Sequence, residues 1–216
     1  MASIIASQSL TNMSVASDQS PPNGALLMPK LQFRFRVSFS NFGVDADTTV
    51  LTRQVVDVTR PNVSFAEIPL QVYNSTVKLA GKHTWADVTI NLRDDAAGSV
   101  SKLVGQQLQK QMDFVEQATA ATGQDYKFQM NIEVLDGGNG ATTPVVLETW
   151  ELYGCFVQTA NYNTLNYGTD ENVTIQLAIT YDNAVQSPLA SGVGTDAARS
   201  LVRNTTGVTT GIGGAQ

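Results

Sequence analysis

The side chains with a chemical repertoire in this 216-residue chain are few and scattered. His83 is the only histidine, so any Ser-His-Asp or Cys-His arrangement would have to be built on it. It stands beside Trp85 in a run that reads as a hairpin, where packing accounts for it better than catalysis. Asp94 and Asp95 form a carboxylate pair of the kind that serves as acid and base. They also precede a helical pattern, and aspartate is favoured there because its oxygens accept the free N–H groups of the first turn. Cys155 is the sole cysteine, so no internal disulfide is possible. Its surroundings, ETWELYGCFVQ, read as a strand and make it a buried structural thiol rather than a nucleophile. The run Asp136-Gly137-Gly138-Asn139-Gly140 lacks the acidic spacing and closing Glu of a calcium loop and reads as a turn. No Cys/His group has metal-ligand spacing, and no Gly-rich loop leads into Lys-Ser/Thr. The residues therefore predict no catalytic, cofactor-binding or metal-binding site, and no cofactor.

What must position these residues is a long series of strands. Apolar residues make up 42% of the chain, enough for a core, whereas charged residues are only 15%. A surface so poor in charge is either neutral and polar or covered by other subunits, because interface cores are depleted in charge. The net charge of −6 argues against electrostatic grip on nucleic acid. The charges are unevenly spread. No Lys or Arg occurs between Lys127 and Arg199, an interval containing Glu133, Asp136, Glu148, Glu151, Asp170, Glu171 and Asp182. The strand region before the helix is slightly basic, with Arg34, Arg36, Arg53 and Arg60 among its residues. Opposite-sign halves can meet between copies or inside one domain.

Leu31, Phe33, Phe35, Val37 and Phe39 alternate with polar residues, the two-residue period of a strand. Val50 to Thr59 reads as a second strand. Gln71 to Leu79 and Thr84 to Leu92 read as a hairpin turning at Ala80-Gly81-Lys82. Val100, Leu103, Val104, Leu108, Met112 and Val115 form one apolar stripe, predicting a helix from Ser99 to about Ala120 with Gly123 as its stop. Strands follow at Tyr126–Leu135, Val145–Gln158 and Glu171–Asp182. The expected fold is mainly β: an antiparallel sandwich or partial barrel with one packed helix. Residues 30–186 form its domain. Residues 1–29 read as an extended arm, and 187–216 as a Gly/Thr-rich extension contacting neighbours. No stretch approaches the length of a bilayer span, and MASIIASQSL is not a Sec-type signal.

Two of the later strands have strongly polar faces. Gln129, Asn131 and Glu133 oppose an apolar side in one, and Thr174, Gln176 and Thr180 do so in the other. Such faces are solvated, or they line an aqueous channel.

The order of elements resembles the tail tube protein of contractile-tailed bacteriophages over roughly residues 30–183. The similar segments are Leu51-Thr52-Arg53-Gln54-Val55, Arg60-Pro61-Asn62-Val63, Gly81-Lys82-His83-Thr84-Trp85 and Leu92-Arg93-Asp94-Asp95. The resemblance implies a virion protein of the tail, assembled in the host cytoplasm without a membrane anchor. It implies hexameric rings whose strands close an inner barrel between subunits, stacked into a tube through which DNA passes without specific binding. The implied partners are copies of itself, the tail sheath, and the baseplate, tape-measure and tail terminator proteins. The six polar residues above would then face the lumen, where few Lys or Arg would hold phosphates. Two other readings stay open: the tube of a type VI secretion or pyocin-like injector, and a monomeric β-sandwich binding module using Tyr162 and Tyr167.

Overall fold

The computed structural model describes residues 30–44, 47–136, 144–168 and 170–187. The proposed arm at 1–29, the glycine turn beyond Asp136 and, apart from Ser187, the C-terminal extension lie outside the described residues. The chain adopts the expected mainly β, antiparallel architecture with a packed helix. Its strands are β1 (Phe35–Ser40), β2 (Val55–Val58), β3 (Asn62–Val72), β4 (Ser75–Ala86), β5 (Val88–Arg93), β6 (Met112–Asp113), β7 (Ala118–Thr119), β8 (Phe128–Leu135), β9 (Val146–Asn161), β10 (Thr174–Thr180) and β11 (Asn183–Ser187). The helices are α1 (Thr49–Gln54), α2 (Ser99–Gln111) and α3 (Gly123–Tyr126).

Seven strands form one sheet in the order β1-β8-β9-β10-β5-β2, with β11 also paired to β9. β9 is the spine. One edge pairs with β8, while the other pairs first with β11 through Thr149–Tyr153 and then with β10 through Phe156–Asn161. The strand can serve both halves because it bends at Gly154, whose φ of 68° is a left-handed conformation. No side chain fits there: a Cβ would lie 2.1 Å from Asp182 Oδ2 and 2.7 Å from its Cγ. The sheet curls round one core containing Val37, Ile90, Leu92, Met130, Ile132, Leu152, Ile175 and Leu177, all essentially inaccessible to solvent. β1 and β2 end the strand order, so among the described residues the barrel stays open along that seam.

Helix α2 covers the core with Val100, Leu103 and Val104. Its polar residues are more than a solvated side. Gln107 is fully buried; its Oε1 accepts the Gly43 N–H at 2.9 Å, and its Nε2 donates to the Tyr126 carbonyl at 2.7 Å. Gln111 pairs with both backbone groups of Val157, at 2.9 Å each, and so holds the helix end to β9 as a strand neighbour would. These amides satisfy backbone groups that would otherwise be buried without partners.

Several expectations are corrected. The segment from Val50 begins as α1, because Leu51 must reach the core from above β1; β2 starts only at Val55. The hairpin turns at Tyr73-Asn74, not at Ala80-Gly81-Lys82. Gly81 instead lies within β4, where the register shifts between Phe65 and Glu67; a Cβ there would meet the Ala66 carbonyl at 3.0 Å. Helix α2 ends at Gln111 rather than near Ala120. The Asp113 carboxylate accepts the N–H groups of Val115 at 2.9 Å and Glu116 at 3.3 Å, turning the chain into the small β6–β7 hairpin and leaving Val115 exposed. Gly123 opens α3 instead of closing α2.

Candidate functional site

The residues with a chemical repertoire take up structural posts. His83 sits in an aromatic chain, with ring centroids 6.4 Å from Phe65 and 6.1 Å from Trp85, and Trp85 lies 5.7 Å from Tyr181. Asp95 Oδ1 accepts the Ser99 N–H at 2.7 Å, and Asp94 binds the hydroxyl of Ser101. The bonds from Ser99 hold the Asp95 carboxyl below the usual carboxylate range, so the pair caps α2. Cys155 is buried, and that burial pushes its thiol up to about 12. Among the described residues no His, Cys, Asp and Glu group is arranged to hold a metal ion.

The six polar candidates lie on the outward faces of the strands flanking β9, each half-buried. Gln129, Asn131 and Glu133 on β8 face Ser40, Ser38 and Arg36 of β1. Glu133 accepts a 2.6 Å bond from Arg36 Nε, so its charge is offset. Thr174, Gln176 and Thr180 stand on β10: Thr174 accepts from Asn163, Gln176 lies between Asn91 and Asn161, and Thr180 donates to Asp87 at 2.8 Å. The structure brings each trio together but keeps the two apart across β9. The same outward faces carry Glu151, Asp57 and Arg93, the last bonded to Gln54 at 3.1 Å. Amides and hydroxyls dominate, and the two arginines have neutralising or amide partners.

Strands β3 and β4 pair with each other alone and project from the sheet as a hairpin of 11 and 12 residues. At its root Val63, Phe65, His83 and Trp85 share one face, and Trp85 packs on the core. Beyond the Gly81 bulge the opposite face becomes apolar. Ile68 stands opposite Leu79 and Leu70 opposite Val77, with Val72 next in line, and all five are 45–49% exposed. The other face is polar, with Gln71 bonded to Thr76 and Lys78 paired to Glu67 at 3.0 Å. An amphipathic two-stranded ribbon with its apolar face uncovered is a surface built to be covered. The alternation was visible in the residues; which side it faced, and that it stands exposed among the described residues, was not.

One buried charge ties the start of the domain to the sheet. Glu148, 5% exposed, accepts from Lys30 Nζ at 2.5 Å, Trp150 Nε1 at 2.8 Å and Gln186 Nε2 at 2.9 Å. Burial raises its carboxyl, but the three donors outweigh that and hold it below the ordinary Glu value of 4.5. A carboxylate depressed by folding stabilises fully above its unfolded pKa and loses that contribution as pH falls through the folded one. The stability difference between wild type and Glu148→Gln, measured by urea unfolding, is therefore expected to shrink between pH 6 and pH 3; a constant difference would show that the pair adds nothing.

The chain is similar to the sheath/tube terminator of an extracellular contractile injection system, PVC, in its extended state. That match has 14% identity and a TM-score of 0.56, and covers 76% of this chain and 100% of the other. It is similar to the tube-terminating cap of the anti-feeding prophage, at 13% identity and a TM-score of 0.55 over 76% and 93% of the two chains. A chain of the PVC sheath–tube complex in the extended state matches at 14% identity and a TM-score of 0.52, over 74% and 91%. No protein-family model matches the sequence, and no curated protein matches it. The chain thus has the fold found in tube and tube-terminating assemblies of contractile injection systems.

Proposed function

We propose that this protein is a structural subunit of the inner tube of a contractile tail, or of the cap that ends such a tube. The observation that carries the reading is the β3–β4 ribbon, whose five uncovered aliphatics need a partner surface, on a fold shared with tube and terminator proteins. Rings of six copies, stacked head to tail, would close the seam left between β1 and β2 into a barrel shared by neighbours. The polar outward faces bearing Gln129, Asn131, Glu133, Thr174, Gln176 and Thr180 would line the channel. With Arg36 neutralised by Glu133, such a wall offers a passing polyanion few cations to hold it. In a bacteriophage tail the cargo is DNA, and the partners are sheath, baseplate, tape-measure and terminator proteins. The injection-system neighbours favour a second reading, an injector tube with another cargo, on the same assembly. Electron microscopy of the concentrated, purified protein tests both: rings or tubes with a central channel are expected, whereas a field of isolated globules would sink the assembly reading.

A further inference from the structure

We propose that the loop between β9 and β10 of one copy docks on the open seam of a second copy, with Tyr167 as a knob entering the hollow between β1 and β2. The hollow has a volume of about 460 Å³. Phe35, Val58, Ile132 and Val134 give it an apolar floor, and Lys30, Arg60, Gln32 and Asp57, the last accepting a bond from Asn91 at 2.8 Å, also line it. It lies between β1 and β2, the two ends of the strand order, which do not pair with each other. Lys30 is committed to Glu148, but Arg60 is exposed and has no carboxylate partner among the described residues.

The loop is its chemical complement. Tyr167 is wholly exposed, and Leu165 and Val173 stand out beside it at 78% and 48%. Asp170 and Glu171 are exposed next to them and pair with no cation among the described residues. An aromatic ring followed by two acids thus matches a hollow with an apolar floor and, on Arg60, a guanidinium without a carboxylate partner among the described residues. Buried aromatics of this kind dominate interface energies, and the charges fix register and partner.

The two surfaces belong to different parts of one copy. The loop follows the Asn161 end of β9, whereas the hollow lies beside Val134, which pairs with Glu148 near the other end. Unlike surfaces on separate sites need not meet across a twofold axis, and the assembly reading repeats their contact head to tail. They make heterologous contacts, which propagate as rings or stacks. The inference rests on the assembly reading and names one of its contacts.

The test is a cysteine pair, Tyr167→Cys with Val58→Cys, in the full chain under mild oxidation. A ladder of covalent multimers on a non-reducing gel is expected, and neither single variant should give one. Cys155 is buried and does not compete. A second arm leaves the core untouched: Arg60→Glu and Glu171→Arg are each expected to raise the concentration for half-assembly roughly tenfold, and the two together to restore it. If wild type assembles but no ladder forms and the charge variants assemble normally, this contact is refuted and the assembly reading survives. If wild type remains single chains at high concentration, both fall.

Discussion

Replacing Gly154 with alanine is expected to destabilise the fold by about 3 kcal/mol, more than at any other glycine among the described residues. Two costs combine. A non-glycine residue held at φ 68° carries about 1–2 kcal/mol of strain. The new Cβ would also stand 2.1 Å from a carboxylate oxygen of Asp182, far inside contact distance. Asp182 can swing away only by giving up Lys127, which it holds at 2.5 Å, while its own N–H donates to the Tyr153 carbonyl at 3.0 Å. The two costs are separable. Adding Asp182→Ala to Gly154→Ala removes the collision with the carboxylate, leaving a 3.2 Å approach to the Cβ of residue 182, but not the strain, so chemical denaturation should show the double variant regaining part of the loss. Complete recovery would mean that the left-handed backbone costs nothing, and no loss in Gly154→Ala would mean that β9 need not bend there. Because β9 serves both halves of the sheet, the damage is expected to be global rather than a local fraying.

Changing the uncovered face of the ribbon should do the reverse: abolish assembly and leave the single chain intact. Leu70→Asp with Val77→Lys puts an attractive charged pair where an aliphatic pair stood directly across the hairpin. Neither residue touches the core, so the melting temperature of the single chain should move by less than about 3 °C. Covering the exposed half of each aliphatic side chain contributes about 1 kcal/mol. Losing two of the five and burying charges in their place should raise the concentration for half-assembly by at least about a hundredfold. Sedimentation velocity across a concentration series would read this out. Unchanged assembly would show that the apolar ribbon is not an interface, and a collapsed melting temperature would show that it supports its own fold.

The strand alternation in Phe35 to Phe39, Phe128 to Val134 and Thr174 to Thr180 was legible because a half-buried strand imposes a two-residue period. Its core faces are Val37, Phe39, Met130, Ile132, Ile175 and Leu177. The apolar stripe of α2 and its aspartate start were legible for a similar reason, since capping is a local hydrogen bond. The outward placement of the six polar candidates also followed from period. What failed were the glycines and the ends. Gly81 reads as a turn by composition, but it relieves a close approach of two strands. Gly154, unremarked inside a strand run, is the bend on which both sheet halves depend. Met112 and Val115 continue the helical spacing, yet Asp113 captures two backbone N–H groups and ends it.

By itself the sequence determined an antiparallel β chain with a capped amphipathic helix. Those properties arise from neighbours a few residues apart, through side-chain period and capping. Only the tertiary structure decided that β9 pairs with three strands, that β1 and β2 leave a seam, and that Ile68, Leu70, Val72, Val77 and Leu79 stand uncovered. A pleated strand has two faces, and sequence period sorts residues between them without saying which one the rest of the molecule will cover. That choice is made by contacts distant in the chain, and here it leaves the apolar face of a hairpin exposed among the described residues.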